Sequence, residues 1–421
     1  MKIRSGGLLL GLFLALSFSS GATLHTKTSN TSSGPPKSAS SPVSRWTEQE
    51  ANAWYARQPW LVGANYIPAT AINQLEMWQA DTFDPKRIDL ELGWAESLGM
   101  NTMRVFLHDL LWEQDSKGFR KRVDLFLSIA AKHHIRPIFV LFDSCWDPNP
   151  HLGRQHAPAP GVHNSGWVQS PSAEALADPA QYPHLELYVK GIVGAFKNDK
   201  RILAWDVWNE PPNSDEGGGN FVPLNARHRE HLVQALLPQI FAWARAAGAT
   251  QPLTSGFWEG DGGWWVPDHL SGTPKIQAEE SDIISFHSYD RPATFQKKIL
   301  GLRAYNRPIL CTEYMARSAG STFENTLPLA KKYNVGAINW GLVAGKTQTI
   351  YPWTSWQKPF DAEPTPWFHD VFRTDGSPYS EEEVEFIRSI IHGVASEPVA
   401  TSSPSVPTKR SMRDPATDGR F

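Results

Sequence analysis

The stretch 202–211, ILAWDVWNEP, is a short apolar run that ends in Glu210 and a proline. The stretch 307–314, RPILCTEY, has the same design and ends in Glu313 and a tyrosine. Continuous apolar runs of this length are typical of parallel strands that are buried on both faces. Both stretches therefore predict a buried strand with a glutamate at the point where the strand stops and its loop begins.

Six further runs of the same kind lie along the chain and alternate with amphipathic stretches that predict helices. Eight strands alternating with helices predict an α/β protein folded as a closed TIM (β/α)8 barrel. An open doubly wound sheet is the alternative, but the first run lacks the glycine-rich phosphate turn that such sheets usually carry. The predicted strands are 61–66, 101–107, 136–142, 202–208, 252–256, 282–287, 307–312 and 335–340, and the clearest helices are 84–98, 120–132, 182–196 and 227–247.

Other segments are predicted to lie outside the barrel. Residues 1–22 combine a short basic region, an apolar run too short to span a bilayer and small residues at a cleavage point, which predicts a signal peptide. Residues 23–44 and 394–421 are rich in Ser, Thr and Pro without apolar periodicity, which predicts a disordered linker and a disordered tail. Residues 45–393 then form one folded domain of a secreted or periplasmic protein.

Composition narrows the range of partners. The formal net charge of −3 over 421 residues gives no reason to expect nucleic acid or an anionic membrane surface. A second apolar run long enough to span a bilayer is missing, so we expect no membrane insertion after signal removal, and we expect a monomer. Cys145 and Cys311 fall on non-adjacent predicted strands and are expected to be free thiols. Because no Cys/His cluster has zinc-like spacing, neither a metal nor a cofactor is expected.

Two glutamates at the ends of strands four and seven suit the cleavage of a glycosidic bond. One carboxylic acid protonates the departing oxygen, while a second carboxylate attacks the anomeric carbon or activates a water. The two groups need environments that separate their protonation states. We expect Glu210 to hold its proton through partial desolvation and Glu313 to stay ionised beside a cation or a hydroxyl donor.

Partners for these carboxylates are found at other strand ends. Arg104 lies inside the apolar second run, where an unpaired charge is costly, and a guanidinium that faces Glu313 would remove that cost. His287 and Tyr289 are two residues apart and share one face of the sixth strand, so Tyr289 is predicted to bond Glu313 and His287 to line the sugar site. Trp340 is predicted to form the floor under the sugar. A structural ion pair, a core histidine and plain barrel packing are the alternative interpretations.

This set resembles the clan A glycoside hydrolases, in particular the cellulase and mannanase family 5, over about residues 60–345. The segment 208–211, WNEP, is similar to the acid/base motif of that family. The resemblance implies a TIM barrel that needs no cofactor. It also implies that Glu210 is the acid/base, Glu313 the nucleophile, Asn209 a partner of the sugar 2-hydroxyl, Arg104 and Tyr289 supports of the nucleophile, and Trp340 the ring beneath the sugar.

The third predicted strand departs from the family pattern, which usually has a histidine at this strand end. Residues 142–146 read FDSCW instead. The side chains that can build this part of the site differently are Asp143, Cys145 and Trp146, and a further candidate donor is the pair His108-Asp109.

Loops rich in Trp, Gly and Pro are predicted to wall the substrate site at 146–170, 257–265 and 351–356. Trp146 and Trp258 are the predicted stacking faces in the first two loops. Such loops form either an open cleft for polymers or a closed pocket for chain ends, and the sequence leaves both possibilities open.

The leading hypothesis is a retaining glycoside hydrolase that acts by double displacement. Its expected substrate is a β-linked polysaccharide or oligosaccharide of the glucan, mannan or xylan type. The alternatives are a non-catalytic carbohydrate-binding barrel and a metal-dependent barrel hydrolase.

Overall fold

Eight parallel strands form the centre of the molecule. A computed structural model of the chain describes residues 44–213, 226–258, 263 and 265–393. The strands are β1 (Val62–Asn65), β2 (Thr102–Phe106), β3 (Arg136–Val140), β4 (Ala204–Asp206), β5 (Leu253–Thr254), β6 (Ile284–His287), β7 (Ile309–Glu313) and β8 (Gly336–Trp340). They pair in the order β5-β4-β3-β2-β1-β8-β7-β6. Each strand lies in a predicted run, with β7 one residue longer, so the predicted TIM (β/α)8 barrel is confirmed.

The edge between β5 and β6 is closed by residues at the ends of these strands. The backbone N–H of Phe257 donates to the carbonyl of Ser285 at 3.0 Å, and the N–H of His287 donates to the carbonyl of Phe257 at 2.7 Å. Near the opposite end, the N–H of Asp282 donates to the carbonyl of Leu253 at 2.8 Å. Because β5 is short, these contacts complete the ring of strands.

The helices surround this ring and agree with the predicted periodicity, with one exception. Predicted helices 84–98, 182–196 and 227–247 are correct to within one residue. The helix predicted from residue 120 begins at Asp109, because charged residues interrupt its apolar pattern and Asp115 has a non-helical φ of −157°. The helices are α1 (Glu48–Tyr55), α2 (Gln74–Trp78), α3 (Pro85–Ser97), α4 (Asp109–Lys132), α5 (Ala173–Ala177), α6 (Tyr182–Phe196), α7 (Ala226–Ala246), α8 (Gly272–Glu280), α9 (Pro292–Leu302), α10 (Phe323–Lys332) and α11 (Glu381–His392).

Helix α1 closes the end of the barrel at which the strands begin. Thr47 and Glu50 form a capping box, each side chain accepting a hydrogen bond from the other residue's backbone N–H. The buried side chains of α1 belong to one apolar cluster with residues from six of the strands or their immediate flanks, including Leu61, Ile138 and Ile338. A cavity for a ligand is therefore left to the other end, where the strands stop.

The chain after β8 packs over the loop after β7, and Arg317 fastens the two together. Its guanidinium donates to the carbonyls of Trp367, His369 and Asp370 over 2.7–3.2 Å. It also forms a two-pronged ion pair with Glu383 on α11, at 2.6 and 2.8 Å. The side chains of this pair are only 5% and 12% exposed. This network ties the β7 loop, the segment after β8 and α11 into one unit.

Some predicted segments lie outside the described residues. These are the signal peptide 1–22, the linker 23–44 apart from Ser44, and the tail 394–421. Within the described ranges, every helix is too short or too polar to cross a bilayer. Cys145 and Cys311 are both free thiols.

We expect Arg317→Met to lower the free energy of unfolding by about 3 kcal/mol or more, because the carboxylate of Glu383 and three carbonyls lose their donor. Arg201→Met is the matched control. Arg201 pairs with Asp124 and Asp199, but its side chain is 30% exposed, so a loss below about 1 kcal/mol is expected. Urea unfolding measures both losses, and equal values would contradict the role assigned to Arg317.

Candidate active site

A cavity of about 550 Å³ opens where the strands end. Polar side chains from strand ends and aromatic side chains from loops line it. The predicted residues that line it are Trp146, Asn209, Glu210, Trp258, His287, Tyr289, Glu313 and Trp340. Arg104 is not on its surface and lies fully buried below it. The structure therefore brings the whole predicted set into one place.

The two glutamates face each other in this cavity. A carboxylate oxygen of Glu210 lies within 4.8 Å of one of Glu313, and the two side chains are 12% and 6% exposed. Glu210 has a left-handed backbone, with φ of 45°, which is strained for a residue other than glycine. The turn after β4 holds this conformation, because the N–H of Asn213 donates to the carbonyl of Glu210 at 2.8 Å.

Glu313 is paired with a cation and with a hydroxyl. Nη1 of Arg104 donates to Oε1 at 2.8 Å, and the hydroxyl of Tyr289 donates to Oε2 at 2.7 Å. Burial raises the pKa of Glu313, and the nearby charge of Glu210 raises it further, whereas the contacts with Arg104 and Tyr289 favour the ionised form. These two partners therefore offset the cost of holding a carboxylate in a buried position.

Arg104 connects Glu313 to the rest of the barrel. Its Nε and Nη2 donate to Oδ2 of Asp206 at 3.0 and 2.8 Å, and its Nη2 also donates to Oδ1 of Asn209 at 2.7 Å. Nη1 donates to Oδ1 of Asn65 at 2.9 Å as well as to Glu313. One planar guanidinium thus spans β1, β2, β4 and β7, which a flexible ammonium cannot do.

The contacts of Glu210 include three groups that carry no charge at neutral pH. Nδ1 of His287 lies 2.8 Å from Oε1, and burial lowers the pKa of His287 to about 4, so we assign it a neutral ring that donates from Nδ1. Nδ2 of Asn213 donates to Oε2 at 2.7 Å, and Sγ of Cys145 lies 3.4 Å from the same oxygen. A guanidinium beside Glu313 and neutral donors beside Glu210 give the two carboxylates different surroundings.

The end of strand three brings the thiol of Cys145 to Glu210, at the strand end where the family that this chain resembles usually has a histidine. Burial raises the pKa of Cys145 well above its ordinary value, so the thiol is protonated and donates to the carboxylate. Trp146 lines the cavity beside it. Asp143 lies deeper, accepts from Nδ2 of Asn209 at 2.9 Å, and has its pKa raised to about 6 by burial. Asp143 therefore orients Asn209 and does not face the cavity.

The pair His108-Asp109 is not part of this site. His108 caps α4, with its Nδ1 3.2 Å from the N–H of Leu110 and 3.0 Å from Oδ1 of Asp109. Neither residue of the pair lines the cavity. The hypothesis that this pair supplies the donor at strand three is therefore wrong, because His108 is fully buried at the start of α4 and neither residue reaches the cavity.

Sequence reasoning did not name several polar residues of the cavity lining, among them Asn213, His163, Asp290 and Lys298. Asn213 carried a local signal, since a residue three positions after a strand-end glutamate lies in the same turn. Lys298 comes from α9, and its Nζ is 2.6 Å from Oδ2 of Asp290. No sequence pattern places a helix lysine in the mouth of a barrel, so only the fold reveals it.

Three of the lining residues also have the geometry of a cation site. The nearest ligand atoms of Glu210, His287 and Glu313 all lie within 4.8 Å of one another. Two carboxylates and an imidazole suit a transition metal as well as acid/base chemistry. The geometry of these three residues alone does not separate the two uses.

We compared the chain with known proteins by sequence and by structure, and only solved structures are similar to it. No family of proteins matches the chain by sequence, and no curated protein matches it. Among solved structures, it is similar to an exo-β-1,4-mannosidase from Opitutaceae bacterium strain TAV5, with 18% identity over 79% of this chain and a TM-score of 0.53. The chain spans 59% of the length of that protein.

Two further structures give the same result. GH5_18 from Streptomyces cattleya, solved in complex with GlcNAc, is 13% identical over 80% of each chain, with a TM-score of 0.52. The endo-1,4-β-mannanase from Rhizomucor miehei is 12% identical over 79% of this chain and 97% of its own, with a TM-score of 0.51. At these identities the likeness establishes that this chain shares their barrel fold.

We expect Arg104→Lys to lower the free energy of unfolding by about 3 kcal/mol although the charge is kept, because one ammonium cannot satisfy Asp206, Glu313 and two asparagines together. Arg136→Lys on the neighbouring strand is the matched control. Arg136 donates to Gln58 and to backbone carbonyls and to no carboxylate, so a loss below about 1 kcal/mol is expected. Thermal unfolding compares the variants, and a near-neutral Arg104→Lys would contradict the network.

Proposed function

We propose that this protein is a retaining β-glycoside hydrolase, secreted or periplasmic, that cleaves a β-linked oligosaccharide or polysaccharide. The observation that carries the proposal is the pair Glu210 and Glu313 in one cavity with different partners. Glu313, beside Arg104 and Tyr289, is suited to act as an ionised nucleophile. Glu210 is bonded by the neutral groups of His287 and Asn213 and not by a guanidinium through these contacts, so we assign it the role of the proton carrier.

The distance between the carboxylates supports retention of configuration. Retaining enzymes hold the two groups roughly 5–5.5 Å apart, and inverting enzymes hold them roughly 6.5–9.5 Å apart to admit a water. The closest oxygens of Glu210 and Glu313 are within 4.8 Å. A nearest approach this short fits the smaller of the two separations and so supports a retaining mechanism.

The reaction then has two steps. In the first, an oxygen of Glu313 bonds to the anomeric carbon while the glycosidic C–O bond breaks and Glu210 gives its proton to the departing oxygen. In the second, Glu210 takes a proton from a water whose oxygen bonds to the anomeric carbon, and the bond to Glu313 breaks. Asn209 is placed at the cavity surface by Arg104 and Asp143, where its amide can meet the 2-hydroxyl of the sugar.

The cavity and the solved structures of similar fold support a choice of substrate class. Indoles at the cavity surface offer flat faces on which pyranose rings stack. The solved relatives are a mannosidase and a mannanase by their titles, so a β-mannoside is the first substrate to test, ahead of β-glucosides and β-xylosides.

A metal-dependent hydrolase is the second candidate, and the cluster of Glu210, His287 and Glu313 favours it. Chelation separates the two. Double displacement needs no metal, so activity should persist in EDTA, whereas loss in EDTA and recovery with zinc or manganese would support the second candidate.

We expect Glu313→Ala to lower kcat by roughly 10⁴-fold or more on every substrate, because no nucleophile remains. Glu210→Ala should lower the rate about 10²–10⁴-fold on natural glycosides. The formation of the glycosyl-enzyme should slow much less with substrates whose leaving group needs no proton, such as 2,4-dinitrophenyl glycosides. Glu279→Ala, on the outer face of α8 and 64% exposed, is the control that should keep full activity. Hydrolysis of an aryl β-glycoside panel measures all three, and full activity in both site variants would falsify the assignment.

We expect Tyr289→Phe to move the acidic limb of the kcat/KM profile to higher pH by about one unit. The hydroxyl favours the ionised Glu313, so its loss raises the pKa of Glu313 further, and more of the nucleophile is protonated at a given low pH. Tyr379→Phe, whose ring stacks on Trp367 outside the cavity, is the control. An unshifted acidic limb in Tyr289→Phe would contradict this role.

A further inference from the structure

Two loops from separate strands join across the mouth of the barrel. Residues 145–170 follow β3 and residues 341–370 follow β8, and we call them together the wall. The N–H of Asn164 donates to the carbonyl of Thr347 at 2.9 Å, and the N–H of Phe360 donates to the carbonyl of Gly161 at 3.0 Å. The wall is therefore held together by its own backbone.

His163 fixes the same junction from inside. Its N–H donates to the hydroxyl of Ser355 at 2.8 Å, and its Nδ1 lies 2.8 Å from the carbonyl of Tyr351. Burial lowers the pKa of His163 to about 4, so the ring is neutral and donates to that carbonyl at neutral pH. The junction is thus tied by side-chain contacts as well as by backbone contacts.

The loop after β1 supports the wall from outside. Nδ2 of Asn73 donates to the carbonyl of Gly166 at 2.9 Å, and Nε2 of Gln74 donates to the carbonyl of Val168 at 2.6 Å. The N–H of Lys346 donates to the carbonyl of Ala69 at 3.1 Å. The loops after β8, β1 and β3 are therefore joined along one side of the mouth.

On the cavity side, an indole pair spans the wall. The rings of Trp146 and Trp356 stack with centroids 5.1 Å apart at 25°. Trp353 continues the aromatic surface and packs edge-on against Tyr289 at 5.0 Å. All four rings line the cavity, so a bound sugar meets aromatic faces at this side and not an open groove.

The positions of the carboxylates decide which end of a substrate meets the wall. In a ring of eight strands β4 and β8 are opposite, so Glu210 stands across the cavity from Trp340. Glu210 must touch the departing oxygen, which places the leaving group on the β4 side. If the ring being cleaved lies over Trp340, as the resemblance implies, its non-reducing end points toward the wall.

From this geometry we infer that the enzyme is exo-acting and removes units from the non-reducing end of its substrate. The inference rests on the proposed function and adds the mode of attack. Units beyond the non-reducing end would have to occupy the space of Trp146, Trp356 and the joined loops. A polymer can extend only on the leaving-group side.

The direct test uses β-1,4-mannohexaose and cellohexaose labelled at the reducing end, together with analogues that carry a 4,6-O-ethylidene block on the non-reducing terminal sugar. We expect an early product of one fixed length from the non-reducing end and no cleavage of the blocked analogues. The labelled oligosaccharide should become shorter by that same length at each step. Early products of mixed length, or equal cleavage of blocked and free chains, would overturn the inference.

Substitution of a wall residue tests whether the wall is what excludes the blocked substrate. We expect Trp356→Ala to raise the ratio of kcat/KM for blocked over free hexaose by about tenfold or more, because half of the indole pair is removed. Trp112→Ala, a partly exposed indole on the outer side of α4, should leave the ratio unchanged. An unchanged ratio in a folded Trp356→Ala protein counts against the wall.

A binding measurement keeps the inference separate from catalysis. With Glu313→Ala protein, calorimetry should show free hexaose binding at least about tenfold tighter than its blocked analogue. Equal binding of the free and the blocked hexaose overturns the inference of a pocket closed by the wall, even if no hydrolysis is seen. If the free hexaose binds tightly and its blocked analogue does not, but the wild-type protein hydrolyses neither, the proposed function is overturned and the closed pocket stands. If neither hexaose binds, the proposed function and the closed pocket are both overturned.

Discussion

A single buried guanidinium holds the site together. Arg104 contributes contacts to Glu313, Asp206, Asn209 and Asn65, and it is fully removed from solvent. A buried cation is tolerated only when it is paired and hydrogen-bonded, so the carboxylates and amides around it must stay where they are. The proposed nucleophile Glu313, the amide of Asn209 and the barrel core are thereby fixed by one group.

The two glutamates have different chemistry because their surroundings differ. Glu313 is the more buried of the pair, and a cation and a phenol favour its charged form. Glu210 is bonded by a neutral imidazole and an amide, with the thiol of Cys145 in the position that the resembling family gives to histidine. A protonated thiol is a weaker donor than an imidazole N–H, so Glu210 is held mainly by His287 and Asn213.

The wall around the cavity has a different origin from the site beneath it. The proposed catalytic groups stand on strand ends, which the barrel positions rigidly, whereas the wall is built from two long loops that hold each other. The indole pair depends on this junction, since Trp146 belongs to the loop after β3 and Trp356 to the loop after β8. Loops can thus set the shape of the site while the strand ends keep the chemistry unchanged.

The sequence by itself determined the eight strands, most of the helices and the set of strand-end residues that line the cavity, because burial on both faces leaves a continuous apolar pattern and a polar residue at a strand end interrupts it. It did not reveal the early start of α4 at Asp109, whose charges break the periodicity. Lys298 entered the cavity only through the fold, since its helix carries no pattern that points to the barrel mouth, whereas His163 lies in the loop 146–170 that the sequence predicted at the site without singling out this residue. The tertiary structure alone decided that Cys145 touches Glu210, that His108 does not, and that the loops after β3 and β8 meet, because contacts between segments 65 to 199 residues apart have no local signature in the chain.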